Sequence, residues 1–206
     1  MYNLYFFALK NRNILDKQRT EENGTSLTPQ SLIEKLTKQL SPKPWSHAQA
    51  AVAILVKPRQ NDLEFFLVKR AEVDDDPWSG DMAFPGGKMN LQDQTLIDTA
   101  TREVLEETSI DLHEKDAIGF MEPIYSSVRK SLAVQPIVYR FDEYPKVQLN
   151  YELTKYLWAL LSEIKNGKTK AVVKGWEGPV YKVQGETVWG LTFRMLEKIL
   201  KLLDDS

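Results

Sequence analysis

An α/β fold is the prediction from this chain, on three observations. A run free of Gly and Pro, about Thr95 to Thr108, carries Ile97, Ala100, Val104 and Thr108 at the spacings of three and four that make one buried helical stripe. Two apolar runs, Ala50 to Val56 and Leu63 to Val68, flank the polar turn Arg59-Gln60-Asn61-Asp62, as two buried strands do. Further strand-like stretches and a C-terminal helical stripe follow, so helices and strands are mixed along one chain.

The elements follow in chain order. Met1 to Leu9 is apolar and aromatic but lacks a basic leader and is too short to span a membrane, so it is read as a strand or docking arm. Lys10 to Ser26 is a polar connector without a clear period. Thr28 then Pro29 make a helix start, and Leu32, Ile33, Leu36 and Leu40 give it an apolar stripe that covers the core or a dimer partner rather than a membrane. Residues 1–47 are accordingly assigned to an N-terminal arm and helix packed on the core, and 48–206 to one domain. Beyond the Thr95 helix, Phe120 to Tyr125, Ala133 to Phe141 and Leu153 to Leu160 are predicted strands, and Ser162 to Lys165 a short helical turn. Leu191, Met195, Ile199 and Leu202 predict a closing helix with one packed face.

Composition narrows the function. With 206 residues, 42% hydrophobic and 27% charged, the chain can build one substantial core but is short for two full domains. A net charge of −2 and a pI near 5.8 argue against a general nucleic-acid-binding surface. The absence of cysteine removes disulfides, thiolate metal sites and cysteine nucleophiles. His47 and His113 are the two histidines, too few for a His-based metal site, and both are read as surface or loop residues. A cytoplasmic enzyme is expected.

The Thr95 helix carries the chemistry. At 100° per residue, Glu103, Glu106 and Glu107 fall within roughly a 100° arc beside the buried stripe. An acidic face simply bathed in water is the ordinary reading of such a run. Here it has local costs: like charges at i,i+4 cost roughly 0.2–0.5 kcal/mol, and acids in a last turn oppose the helix dipole by about 0.3–1 kcal/mol each. A divalent cation offsets all of these at once, and Mg²⁺ prefers oxygen ligands completed by waters and substrate phosphates. Upstream, Gly86-Gly87 is either a turn or a place where backbone approaches a metal or phosphate. Asp74, Asp75 and Asp76 either join a metal shell or form an acidic turn before Pro77.

These residues resemble the Nudix hydrolase family, whose signature reads G-x5-E-x7-R-E-U-x-E-E-x-G-U with U aliphatic. Gly87, Arg102, Glu103, Val104, Glu106, Glu107 and Ile110 carry the likeness. The signature's first Glu falls on Gln94, with Asp93 just before it, and Ser109 stands where the family has Gly after the helix. Phe84-Pro85-Gly86-Gly87-Lys88, Asp93 and Trp189-Gly190-Leu191-Thr192 are similar to the branch that hydrolyses coenzyme A. That branch carries an Arg and a His where this chain has Asp76 and Trp78, and an Asp there would repel a phosphate. The likeness covers roughly residues 48 to 200.

The resemblance implies an α/β/α sandwich with a mixed sheet and a metal-dependent hydrolase of nucleoside diphosphate-X compounds, coenzyme A-like ones among them. Glu103 and Glu107, with Glu106 and the Gly87 carbonyl, would hold Mg²⁺ or Mn²⁺ while Arg102 orients a glutamate. Glu106 is the general base, or Glu152 in its place, with Glu163 a further loop acid. Lys88 and Lys69 either approach phosphates or are solvated charges, and Trp78 either stacks a base or anchors a loop. The alternative is a nucleotide-sensing module without turnover, against which the full set Arg102, Glu103, Glu106 and Glu107 argues.

Overall fold

In the computed structural model, residues 28–112 and 117–204 are described; the arm Met1 to Leu9, the connector Lys10 to Ser26 and His113 lie outside them. The two apolar runs form a hairpin, β1 (Ala50–Arg59) and β2 (Asp62–Arg70), paired antiparallel from Val56↔Phe65 to Arg59↔Asp62. Both faces of β1 are buried: Ala50, Ile54 and Val56 enter one core, and Ala51, Ala53 and Leu55 the other. That double burial is why its sequence reads as a continuous apolar run rather than an alternating one.

Before Val56 the two strands part, and the double-glycine segment enters between them. β3 (Met82–Ala83) pairs with β2 at Val68 and Lys69, while β4 (Gly86–Lys88) pairs with β1 at Ala50 to Val52. The Ala53 N–H closes the junction by donating to the Pro85 carbonyl at 2.8 Å. Only a glycine fits at 86: its φ is 143°, and a Cβ there would lie 2.3 Å from the Ala51 carbonyl oxygen and 2.6 Å from the Val52 Cα.

On its other edge β1 runs parallel to β7 (Ala133–Arg140), which pairs antiparallel with β5 (Ala117–Phe120) and β6 (Ile124–Tyr125). β8 (Leu153–Leu160) lines the far edge of β2, so the sheet is mixed. The single strand expected over Phe120 to Tyr125 is therefore two. Pro123 has no N–H for the ladder, and the Gln135 side chain donates to the Met121 carbonyl at the break.

Helices cover both faces. α1 (Pro29–Gln39) starts as expected, Thr28 Oγ1 accepting from the Ser31 N–H at 3.2 Å, and sinks Ile33 and Leu36 into the core of its own chain. α2 (Leu96–Thr108) packs Leu96, Ala100 and Val104 on the opposite face. The short α3 (Leu161–Asn166) follows β8, and α4 (Gly190–Asp204) closes the first core with Phe193, Met195, Leu196, Ile199 and Leu203. The result is the α/β/α sandwich. No described helix is long and apolar enough to cross a membrane.

A second sheet was not foreseen. β9 (Lys168–Val173), β10 (Trp176–Val183) and β11 (Glu186–Val188) form an antiparallel meander joined at Lys174-Gly175 and Gln184-Gly185. β9 begins Lys-Thr-Lys with all three side chains exposed, so it lacks the apolar alternation that announces a strand.

Two stability outcomes follow. Gly86→Ala should cost about 3 kcal/mol or more, since the clash is with backbone that cannot move aside; a chemical melt within 1 kcal/mol of wild type, on the order of a surface change, would refute the close approach. Ser109 ends α2 in the left-handed region, φ 58° and ψ 18°, with its N–H on the Leu105 carbonyl at 2.9 Å. Ser109→Gly should therefore raise stability by about 0.5–1 kcal/mol in the same assay.

Candidate active site

α2 is held at both ends. At its start Thr95 Oγ1 accepts the Asp98 N–H at 3.1 Å while the Asp98 carboxylate accepts the Thr95 N–H at 2.8 Å, a reciprocal cap. At its end the carbonyls of Glu107 and Thr108 accept from Asn150 N–H at 3.0 Å and Gln148 N–H at 2.9 Å. Those bonds satisfy carbonyls that a helix end leaves orphaned, and they tie the loop carrying Glu152 to the helix. Ala71 N–H donates to the Glu152 carbonyl at 2.7 Å, fixing the loop to the end of β2 as well.

With the buried stripe setting the helix rotation, the three acids form a graded row. Glu107 is 4% exposed and its Oε2 accepts the Gly86 N–H at 2.9 Å. Burial pushes its carboxyl up to about 8 against that hydrogen bond; the charges of Glu103 and Glu152 raise it further, and Arg70 lowers it. Glu103 is next outward and is raised in the same way, first by burial, with Arg102 opposing and Glu106 and Glu152 adding to it. Glu106 is the solvent end, its side chain 58% exposed. It shares Arg102 with Glu103: the same guanidinium nitrogen donates to Glu103 at 2.8 Å and to Glu106 at 3.3 Å.

Arg102 is aimed by Asp93. The guanidinium meets both Asp93 oxygens, Nε at 3.0 Å and Nη2 at 2.9 Å, and Nη2 also donates to the Lys88 carbonyl at 3.1 Å. Asp93 is itself anchored by the Asn90 N–H at 2.9 Å and the Thr99 hydroxyl at 3.1 Å. Arg102 holds the Asp93 carboxyl down to about 2 against the effect of burial. Gln94, on the position of the signature's first Glu, is exposed and gives its backbone N–H to Asp98. The orienting task thus sits one residue earlier, on Asp93. Counted back from Arg102, the signature's glycine likewise falls on Lys88, and Gly87 stands one residue ahead of it.

Gly87 faces Glu103. A Cβ at 87 would lie 2.5 Å from the Glu103 carboxyl carbon, so the missing side chain is what lets backbone and carboxylate share one cradle. Among the described residues no three acidic or imidazole side chains close tightly enough to enclose an ion by themselves. The donors are hard carboxylate oxygens, partly desolvated, with the Gly87 backbone against Glu103. That set fits Mg²⁺ or Mn²⁺, whose remaining ligands come from water and phosphate.

The row opens into a cleft of about 410 Å³ bordered by Gly86, Gly87, Glu103, Glu107 and Glu152 at one end, with Lys88, Trp78 and Trp189 also on its walls. Arg129 lies over the Trp78 ring, 5.0 Å from its centre. Lys69 does not border the cleft; its ammonium donates to Glu186 at 2.9 Å, beside Lys155 on the same carboxylate. Strand alternation sends Lys69 to the face opposite Val68 and Arg70. Glu163 is likewise elsewhere, accepting from Leu160 N–H at 3.2 Å and Gln184 at 3.0 Å. His47 is exposed, as expected, and Asp74 and Asp75 form an exposed acidic turn.

Sequence reasoning passed over Arg70, which borders the cleft and pairs with Asp76 at 3.0 Å. It also missed the buttress made by Asp81, which accepts from Trp189 Nε1 at 2.9 Å and pairs with Lys174 at 2.8 Å. The alternation from Val68 to Arg70 was a usable signal for the first. Nothing local announces the second, since its members come from a loop, a hairpin and the start of α4.

A sandwich with an Arg-Glu helix facing a glycine-bearing wedge defines a class, and the comparison with known families agrees: the NUDIX domain matches residues 47–174, more than half of the chain. The chain belongs to the Nudix hydrolase family. It is 30% identical over 134 residues to the mitochondrial coenzyme A diphosphatase NUDT8 of Mus musculus, covering 60% of this chain and 63% of that one. It is 27% identical over 168 residues to the uncharacterized Nudix hydrolase NudL of Yersinia enterocolitica, covering 74% and 79%. A fission-yeast protein, C14C4.10c of Schizosaccharomyces pombe, is 51% identical over 51 residues, which span 25% of this chain and 16% of that protein. The fold is shared with the MutT protein of Methanosarcina mazei, at a TM-score of 0.53 and 24% identity over 76% of this chain and 94% of that one. Nudix hydrolases generally use divalent metal ions.

The Asp93 pairing carries a pH signature. Its folded pKa of about 2 lies below the ordinary 3.8, so the pairing stabilises the fold above about pH 4 and that contribution is lost as pH falls toward 2. Wild type should exceed Asp93→Asn by on the order of 1–2 kcal/mol at neutral pH. In urea titrations the gap should narrow as the medium is acidified; a gap independent of pH would assign the stability elsewhere.

Proposed function

We propose that this chain is a metal-dependent diphosphatase that cleaves the diphosphate linkage of nucleoside diphosphate-X compounds, with coenzyme A-like compounds as the preferred class. The observation that carries the reading is Glu103 and Glu107 gathered against the Gly86-Gly87 backbone, with Arg102 locked by Asp93. The preference for coenzyme A-like compounds is supported by the likeness to NUDT8 and by Asp93 in place of the signature's Glu.

In this reading Glu103, Glu107 and Glu106, with the Gly87 carbonyl, hold Mg²⁺ or Mn²⁺. When bound, the cation neutralises the diphosphate, acidifies a coordinated water and stabilises developing charge. The protein's own groups do the placing. The Gly86 N–H fixes Glu107, and Arg102 fixes Glu103 while keeping Glu106 alongside. Glu152 borders the cleft whereas Glu106 does not, so Glu152 is the better-placed acceptor of a proton from the attacking water. The oxygen–phosphorus bond forms as the bridging bond to the second phosphate breaks, and that phosphate leaves with the electron pair. Lys88 faces the phosphates, and Trp78, with Arg129 behind it, offers a ring on which a base can stack.

The test is product release from coenzyme A, ADP-ribose, dinucleotides and nucleoside triphosphates, with and without Mg²⁺. Turnover should require the metal. Tight binding of one compound without metal-dependent turnover of any would make the chain a nucleotide-sensing module instead. Glu103→Gln and Glu107→Gln should each lower kcat by about 10²–10³-fold. Glu152→Gln should lower it by roughly 10²-fold and flatten the acidic-side limb of the pH profile, where a base must lose its proton to act; a larger loss for Glu106→Gln than for Glu152→Gln would return the general-base role to Glu106.

A further inference from the structure

Against the carboxylates of Asp81, Glu103, Glu107 and Glu152, the cationic side chains bordering the cleft are Arg70 and Lys88. Lys174 already answers Asp81 and Arg102 answers Glu103, so Arg70 and Lys88 are the cations of the wall left to meet an entering polyanion, besides any metal. Lys88 is a flexible point charge, whereas Arg70 is built in. The β2–β8 pairing passes from Lys69↔Lys155 to Arg70↔Leu153, so the extra residue lies on β8 and β2 keeps its own alternation, which puts Arg70 on the face of Val68 at the cleft. The Arg70 backbone N–H is tied to the Asp81 carbonyl at 3.0 Å. Its Nη2 donates to Asp76 Oδ2 at 3.0 Å, and Asp76 Oδ1 accepts the Trp78 N–H at 3.1 Å. Asp76 therefore does not present a bare negative charge; it is spent on holding a guanidinium and a tryptophan in one arrangement.

Arg70 still has donor capacity. Of its guanidinium nitrogens Nη2 is committed to Asp76, Nε is buried without an acceptor among the described residues, and the side chain keeps 29% exposure. The part-exposed side of the guanidinium, on the cleft wall, therefore has donors to offer an anion alongside Asp76.

We propose that Arg70 is an anion-binding residue of the cleft that grips a substrate phosphate, and that Asp76 is its positioning residue. The chain thus carries its guanidinium on β2 and an Asp on the loop that holds it. Because the same Asp76 seats Trp78, the spacing between phosphate grip and ring is set by one carboxylate, which suits a phosphate chain joined to an aromatic base. The inference rests on the diphosphatase reading above for the identity of the phosphate.

Calorimetric titration of the full chain with ADP, in EDTA so that no divalent cation contributes, tests it directly. Arg70→Gln should weaken ADP by about 10-fold or more and Arg70→Lys by less, since an ammonium supplies charge without the planar fork. Asp76→Asn should weaken ADP by a few-fold while raising KM more than it lowers kcat. Added guanidinium ion at millimolar concentration should restore part of the ADP affinity of Arg70→Ala. An unchanged ADP affinity in a folded Arg70→Gln would overturn the proposal, as would an equal loss for adenosine, which has no phosphate. Should Arg70→Gln fail to fold, Arg70→Lys decides: weaker ADP binding supports the proposal and unchanged binding overturns it. Binding of ADP through Arg70 by a chain that hydrolyses nothing would remove the diphosphatase reading and leave this one. Hydrolysis with Arg70→Gln unaltered in ADP affinity and KM would do the reverse.

Discussion

The parting of β1 and β2, and the backbone that fills the gap, is the constraint on which the rest of this protein depends. A sheet interior does not admit a third strand unless every N–H and carbonyl finds a partner. Here β3 takes the β2 side, β4 the β1 side, and Ala53 N–H the Pro85 carbonyl between them. The fit leaves no room for a Cβ at 86, and it brings the Gly86 N–H to Glu107 and the Gly87 backbone to Glu103. The packing solution of the sheet and the floor of the site are the same few atoms.

The site is assembled against electrostatic preference. Glu107 is buried with Glu103 and Glu152 raising its carboxyl, and few cations answer them inside the cleft. Such an arrangement costs stability unless an ion and a polyanion complete it, which is why perturbed acids collect at functional sites. Arg102 shows the complementary economy. Its fork on Asp93 is fully paired, anchored by Asn90 and Thr99, and leaves one nitrogen to set the two outer acids of the row. One rigid pair thereby fixes the geometry of charges that would otherwise spread apart.

The other walls of the cleft are loops and a hairpin rather than sheet. The tip of the β9–β10 hairpin places Lys174 on Asp81 and on the carbonyl of Ser79 at 2.6 Å, so the loop bearing Asp76 and Trp78 is braced from outside. Trp176 and Trp189 lie together at 5.7 Å between ring centres and extend that brace. Glu103 and Glu107 sit on a helix against the sheet, while Glu152 and the opposite walls are held by long-range polar contacts.

Where periodicity spoke, the chain could be read directly. The Thr28-Pro29 start, the Thr95 helix with its acidic row, the two central strands and the closing helix are all legible because buried faces impose spacings of two or of three and four. The resemblance carried by Arg102, Glu103, Glu106 and Glu107 added the sandwich. The β9–β11 meander was not legible, because its exposed Lys and Thr residues bury no continuous face. Nor was the fate of individual charges. Lys69 and Arg70 are adjacent and both basic, yet strand alternation sends one to Glu186 and the other to the cleft. Asp76 looked like a repulsive departure until the fold supplied Arg70 as its partner. The sequence by itself determined the elements and the acidic helix, since those depend on local spacing. Only the tertiary structure decided which charges meet, because that depends on register and on loops brought together from distant parts of the chain.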